Sequence, residues 1–226
     1  VLSKNPTLSE YSKFVNSVYG LQNDRCYTVW DMLANTNKFA MRSIKGVRKN
    51  NREKIRLNML ITMSWFTSLM NQFHVDLDGI VWERFPYLCS YCGECPCACK
   101  AEKVSSRRKV LGNMSMKPVT MADYQKMFNK IYPKEGRTEK DAAIHLAEEA
   151  GELSEAFHIY MGDRKVAHFN EVRLEAADFF SCMMGVMNSS NIDCQKELVK
   201  LFSKGCFVCG KAQCICTFDD VNDFKS

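Results

Sequence analysis

Apolar positions recur every three or four residues along most of this chain, the period of a helix packed on one face and not the alternation of a strand. The pattern predicts four helices in the first half, over about 8–19, 29–46, 51–74 and 77–86. It predicts four more in the second half, over about 121–132, 138–161, 168–190 and 193–204. Asp76 and Asp193 stand where N-caps of the two short fourth helices belong. The longest apolar run, 59–70, is interrupted by Thr62, Ser64, Thr67 and Ser68 and is too short to span a bilayer, so no membrane association is expected. With 11 Gly and 5 Pro in 226 residues, helix breakers are scarce, and the expected fold class is all-α.

The two sets of helices are copies. Tyr11, Asn16 and Tyr19 match Tyr124, Asn129 and Tyr132 at an offset of 113, as Leu33-Ala34 match Leu146-Ala147. The offset then becomes 117: Arg56-Leu57 match Arg173-Leu174, Met70-Asn71 match Met187-Asn188, and Phe85 matches Phe202. At that offset Cys89, Cys92, Cys97 and Cys99 become Cys206, Cys209, Cys214 and Cys216. Repetition of a Cys-x2-Cys-x4-Cys-x-Cys pattern at one offset marks a tandem duplication. The expected organisation is one copy over 1–100, a polar basic linker over 101–117 and a second copy over 118–226, packed as an intrachain pseudo-dimer.

Charge is uneven along the chain. Residues 1–112 hold 17 Lys and Arg against 9 Asp and Glu, and the remainder 14 against 17. The net charge of +5 is modest, but the first half is basic enough to meet phosphates. The opening residues show no signal-peptide pattern, and a start at Val1 leaves room for a preceding segment. Nine of the twelve cysteines fall in two tight clusters, where near neighbours suit a metal better than a disulfide. A reducing, cytoplasmic setting is expected.

Four thiolates within eleven residues can surround one tetrahedral ion, which leaves no open position, so each knuckle reads as a structural zinc site. Gly93 and Gly210 follow the second cysteine and permit the tight turn. An iron–sulfur cluster is the competing ligand. Cys95 has no cysteine counterpart, since Ala212 occupies its place, and reads as a non-ligand; Cys26, Cys182 and Cys194 read as small apolar residues. Zinc knuckles also bind single-stranded nucleic acid, with Arg107, Arg108, Lys109 and Phe207 the nearby candidates, but stapling of helix ends is the favoured role.

The second copy carries a different chemistry. Glu149 and Glu152 share one helix face, and Glu175 and Asp178 share a face of the next helix. If the two helices pack antiparallel, four carboxylates converge, and a hard divalent cation, Mg²⁺ or Mn²⁺, would relieve their repulsion. A solvated acidic face is the ordinary fate of such residues. Asp178, however, lies between Ala177 and Phe179-Phe180, where an unpaired carboxylate is costly. The first copy has Thr36, Phe39, Asn58 and Ile61 at the equivalent positions, so the scaffold does not require the acids.

The run from Glu149 to Phe157, followed by Glu175-x-x-Asp178, resembles the ExxE…ExxD signature of the MazG-like all-α nucleotide pyrophosphohydrolases, most clearly over 121–203. The resemblance implies Mg²⁺-dependent hydrolysis of a nucleoside triphosphate to the monophosphate and diphosphate. It assigns metal ligation and catalysis to Glu149, Glu152, Glu175 and Asp178; since only the second copy has these acids, one working site per chain is expected, beside the two structural zinc ions that the cysteine spacing implies. Glu148 is a supporting candidate, and His158, Arg164, Lys165, Asn188 and Asn191 are candidate substrate contacts, with Lys196 and Lys200 also available. The alternative is a non-catalytic structural or nucleic-acid-associated protein that uses the scaffold within a larger complex. Base preference and further association of chains are open at this point.

Overall fold

The computed structural model describes residues 1–102 and 106–224, so part of the expected linker, 103–105, lies outside the described residues. Among the described residues the fold is all-α, without strands. The helices are α1 (Leu8–Cys26), α2 (Val29–Arg48), α3 (Arg52–Gln72), α4 (Leu77–Arg84), α5 (Met121–Ile131), α6 (Glu139–Asp163), α7 (Val166–Ser189), α8 (Cys194–Leu201) and α9 (Phe218–Asn222). Thr7, Thr28, Thr120 and Thr138 open α1, α2, α5 and α6 with reciprocal capping boxes to Glu10, Asp31, Asp123 and Asp141. Each such cap contributes about 1 kcal/mol. Asp193 caps α8 as its sequence position suggests. No helix among the described residues is long and apolar enough to cross a membrane.

Two differences from the expected helices have a local cause. Helix α1 runs to Cys26, well past 19, whereas its counterpart α5 stops at Ile131. At the repeat offset Gly20 stands where the second copy has Pro133, and only the proline lacks an amide hydrogen to continue the helix. The short helix α9 was not expected; a Thr217–Asp220 capping box starts it.

The compact units do not follow the linear copies. One comprises Val1–Leu77 and the chain from Ile192 onward; the other is Asp78–Asn191. The first unit therefore joins α1–α3 to α8, the second cysteine cluster and α9. The second joins α4 and the first cysteine cluster to α5–α7. The division expected at 100 and 117 is replaced by an exchange of the short helix and knuckle between copies.

Packing explains the exchange. An eight-residue helix buries little by itself, so α4 and α8 are held by the aromatic residues that follow them. Phe85 meets Phe128 and Tyr132 at 5.2 and 6.3 Å, and Phe202 meets Phe14 and Tyr19 at 5.7 and 6.4 Å. The Cys97 amide donates to the Ile131 carbonyl at 2.8 Å, and the Cys214 amide to the Val18 carbonyl at 2.7 Å. Cys97 and Cys214 are repeat partners, as are Ile131 and Val18, so one hydrogen bond is made twice, each time joining the knuckle of one copy to the first helix of the other.

Within each unit two long helices form a hairpin, α2 with α3 and α6 with α7. Gly46 permits the first: a Cβ there would stand 2.9 Å from the Ile55 amide nitrogen. The second turns at Arg164, which closes α6 in the left-handed region at φ 57°. Buried Leu146, Leu153 and Phe157 of α6 and Phe179, Phe180 and Met183 of α7 form the core that positions the acidic faces.

Candidate metal centres and the adjoining cavity

The four cysteines of each knuckle converge, with all sulfurs of a cluster within 4.8 Å of one another. Cys89 to Cys99 is 3.8 Å, Cys92 to Cys97 is 4.0 Å and Cys206 to Cys216 is 3.8 Å. A tetrahedral zinc with Zn–S of about 2.3 Å sets its sulfurs about 3.8 Å apart. Gly93 and Gly210 turn at φ 72° and 69°, and their amides donate to the carbonyls of Cys89 and Cys206. The Ala98 amide points at the Cys92 sulfur and the Cys216 amide at that of Cys214, each at 3.4 Å, as suits thiolates. Both clusters fit a structural zinc ion. Exposed Cys95 stands apart from them, Cys182 and Cys194 are buried outside both clusters, and Cys26 is exposed.

The α6–α7 hairpin brings Glu149, Glu152 and Glu175 together, with one oxygen from each within 4.8 Å of the others. One oxygen of Glu149 and one of Glu175 are buried without a hydrogen-bond partner. Orphaned buried carboxylate oxygens are costly, and a divalent cation would satisfy both. Without one, protons take its place. Burial, reinforced by Asp178 and Glu152, pushes Glu149 up to about 8 and Glu175 up to about 7.

Asp178, the fourth expected ligand, faces a protein cation. Arg84 of α4 grips it with two bonds, Nε to Oδ1 at 3.0 Å and Nη2 to Oδ2 at 2.5 Å, and Arg107 lies 3.6 Å away. Burial raises the Asp178 pKa and the Arg84 bonds oppose the rise. Arg84 and Asp178 are 12% and 9% exposed, so the pair is nearly dry. Removing one partner strands the other. Arg84→Met is expected to cost about 3–5 kcal/mol of stability by urea titration, with most of the loss restored when Asp178→Asn is added. A single variant as stable as the parent would show that Arg84 does not hold Asp178.

A cavity of about 510 Å³ adjoins the carboxylates. Glu149 and Asp178 form part of its wall, the first knuckle another, and Lys100, Arg107 and Arg137 bring positive charge. The corresponding space in the other unit, about 20 Å³, is lined by Tyr27, Trp65 and Val221. Trp65 is the repeat partner of Cys182, and its ring meets that of Tyr27 at 5.0 Å. Thr36, Phe39, Asn58 and Ile61, the counterparts of the four acids, are fully buried, and Thr36 and Asn58 bond carbonyls of their own helices.

None of the expected substrate contacts lines the cavity. Arg164 lies over the Tyr160 ring, and Lys165 pairs with Asp163 at 2.9 Å. Asn188 donates to the Gln125 carbonyl, and Asn191 accepts from Lys134. His158 is exposed on α6, exposed Glu148 pairs with His145, and Lys196 and Lys200 belong to the other unit. The sequence offers Arg107 only as a nucleic-acid candidate and does not single out Arg84, Lys100 or Arg137; the first knuckle and its flanking segments bring in Arg84, Lys100 and Arg107, while Arg137 precedes α6 in the same copy as the acids. A signal existed: at the repeat offset Arg84 is matched by Leu201, a difference of the same kind that singled out the carboxylates.

Comparison with protein-family models, curated proteins and solved structures returns no match. Among the described residues the fold and sites define an all-α protein with two four-cysteine clusters suited to zinc and a partly exposed cluster of three glutamates that could hold a harder cation.

Proposed function

We propose that the chain is a divalent-metal-dependent nucleoside triphosphate pyrophosphohydrolase with one active site, in the Asp78–Asn191 unit. The observation that carries this reading is the convergence of Glu149, Glu152 and Glu175 with two orphaned buried oxygens, in one copy of a duplicated scaffold and not the other. The ExxE…ExxD resemblance supports the same reaction. Bound there, Mg²⁺ or Mn²⁺ would neutralise phosphate charge and polarise the α-phosphoryl group and a water.

The chain's own residues supply the rest. Glu149, Glu152 and Glu175 would hold the cation, and a carboxylate of the cluster would accept the proton of the attacking water. The new bond joins water oxygen to the α-phosphorus, and the bond to the α–β bridging oxygen breaks, releasing diphosphate. Arg84 opposes the rise that burial gives the Asp178 pKa and fixes its orientation beside the cluster.

Incubation of the purified, zinc-loaded chain with a panel of ribo- and deoxyribonucleoside triphosphates and Mg²⁺ tests the proposal. Monophosphate and diphosphate in equal amounts are expected from at least one substrate. Release of orthophosphate alone, or no turnover with any triphosphate, would reject it and favour the non-catalytic alternative.

A further inference from the structure

We infer that the cavity beside the carboxylates is a polyphosphate site whose cations come largely from the first copy's knuckle and the segment after it: Lys100 and Arg107, completed by Arg137. The inference deepens the proposed function and rests on it for the identity of the substrate, but not for the binding of phosphate.

Three observations support it. First, the space is large enough for a nucleotide's phosphate arm, at about 510 Å³, and its wall includes Glu149 and Asp178. A chain of phosphates held there would reach the carboxylate cluster. Second, these cations are not spent on buried carboxylates of their own. Lys100 donates to the Gly136 carbonyl at 3.3 Å, and Arg137 stacks over Tyr132 at 5.5 Å. Asp141 lies near enough to feel both, but is engaged by Thr138 in the capping box of α6. Arg107 lies over Tyr91 at 5.9 Å and reaches Asp178, which Arg84 already grips with two bonds. Arg107 is thus a second cation for one carboxylate and remains 48% exposed.

Third, the cations vanish with the acids. The repeat offsets place Thr217 opposite Lys100, Phe224 opposite Arg107 and Asp24 opposite Arg137. In the unit with the filled cavity, Phe224 instead packs its ring on Phe207 at 5.3 Å. A surface basic for solubility alone has no reason to lose its charge where the carboxylates are lost. A site for an anion bound against those carboxylates does.

Calorimetry with inorganic tripolyphosphate, on the full zinc-loaded chain with no added magnesium, isolates this site from the carboxylates. Binding is expected for the wild type, weakened at least tenfold in both Arg107→Met and Lys100→Met. Both side chains lie largely at the surface, so the variants should fold. Arg108→Met is the control: its guanidinium pairs with Glu94 and Glu102 and does not line the cavity. Its affinity should match the wild type. No binding by the wild type, equal binding by all variants, or an equal loss in Arg108→Met would each overturn the inference. Failure of the hydrolase reading shows separately, as absent turnover with the isotherms intact.

Discussion

Glu149→Gln and Glu152→Gln are expected to lower diphosphate release at least about a hundredfold while leaving the helical fold unchanged. The size follows from removing one anionic ligand from a cation that must offset the charge of the triphosphate. Glu149→Gln carries a second signature that a simple loss of structure would not. Its proton affinity is raised in the fold, so the metal-free protein is favoured while Glu149 is protonated. That contribution is fully present below the unfolded carboxyl pKa of about 4.5 and is lost as pH climbs through about 8. Glu175 adds a loss of the same sign up to about 7. Without magnesium, Glu149→Gln should therefore melt at or above the wild-type temperature at pH 8 and show a flatter pH profile. Saturating magnesium should stabilise the wild type, by about 2.7 kcal/mol at a hundred times the dissociation constant, and the variant less. A variant that hydrolyses triphosphates at the wild-type rate would remove Glu149 and Glu152 from the reaction. A metal-free variant that melts well below the wild type would mean that the carboxylate is structural.

Loss of zinc should have the largest effect on stability. Binding of zinc to a four-ligand site contributes about 10–16 kcal/mol in small zinc domains, as much as the whole stability of an ordinary domain. Two ions per chain are expected by mass spectrometry under native conditions, and their removal by a strong chelator should unfold much of the molecule. Single substitutions locate the effect. Cys92→Ser, in the first copy, should raise hydrogen exchange in α5–α7, because its knuckle is bonded to Ile131 and Tyr132 of the Asp78–Asn191 unit. Cys209→Ser, in the second copy, should loosen α1–α3, where its knuckle bonds Val18 and Tyr19. The opposite pattern, each substitution loosening the helices of its own copy, would contradict the exchange. Retention of the full melting temperature after both ions are removed would show the clusters to be dispensable.

Local rules made much of this legible. The type and approximate bounds of the first eight helices followed from apolar period and capping residues, since both act over a turn or two, whereas the short α9 was not expected. The cysteine spacing sufficed for the clusters because all four ligands of each lie within eleven residues. The convergence of Glu149, Glu152 and Glu175 followed from face and hairpin geometry. Asp178 was placed on the correct face, but its partner was not foreseen. Arg84 lies 94 residues away in sequence, and no period relates the two. The candidate substrate contacts, chosen near the acidic helices, do not line the cavity, part of whose wall comes from the first cysteine cluster and the segment after it.

The sequence by itself thus determined the longer helices and the two cysteine clusters, which rest on spacing within a segment, and its matched positions at offsets of 113 and 117 marked where the two halves differ. Only the tertiary structure decided which helices each knuckle belongs to, which cations face the carboxylates and which copy keeps an open cavity. The physical reason is the shortness of α4 and α8, which cannot bury their own aromatic residues and are seated by the first helix of the opposite copy. That seating carries Arg84, Lys100 and Arg107 to the acidic face of α6 and α7, a placement set by packing between distant segments.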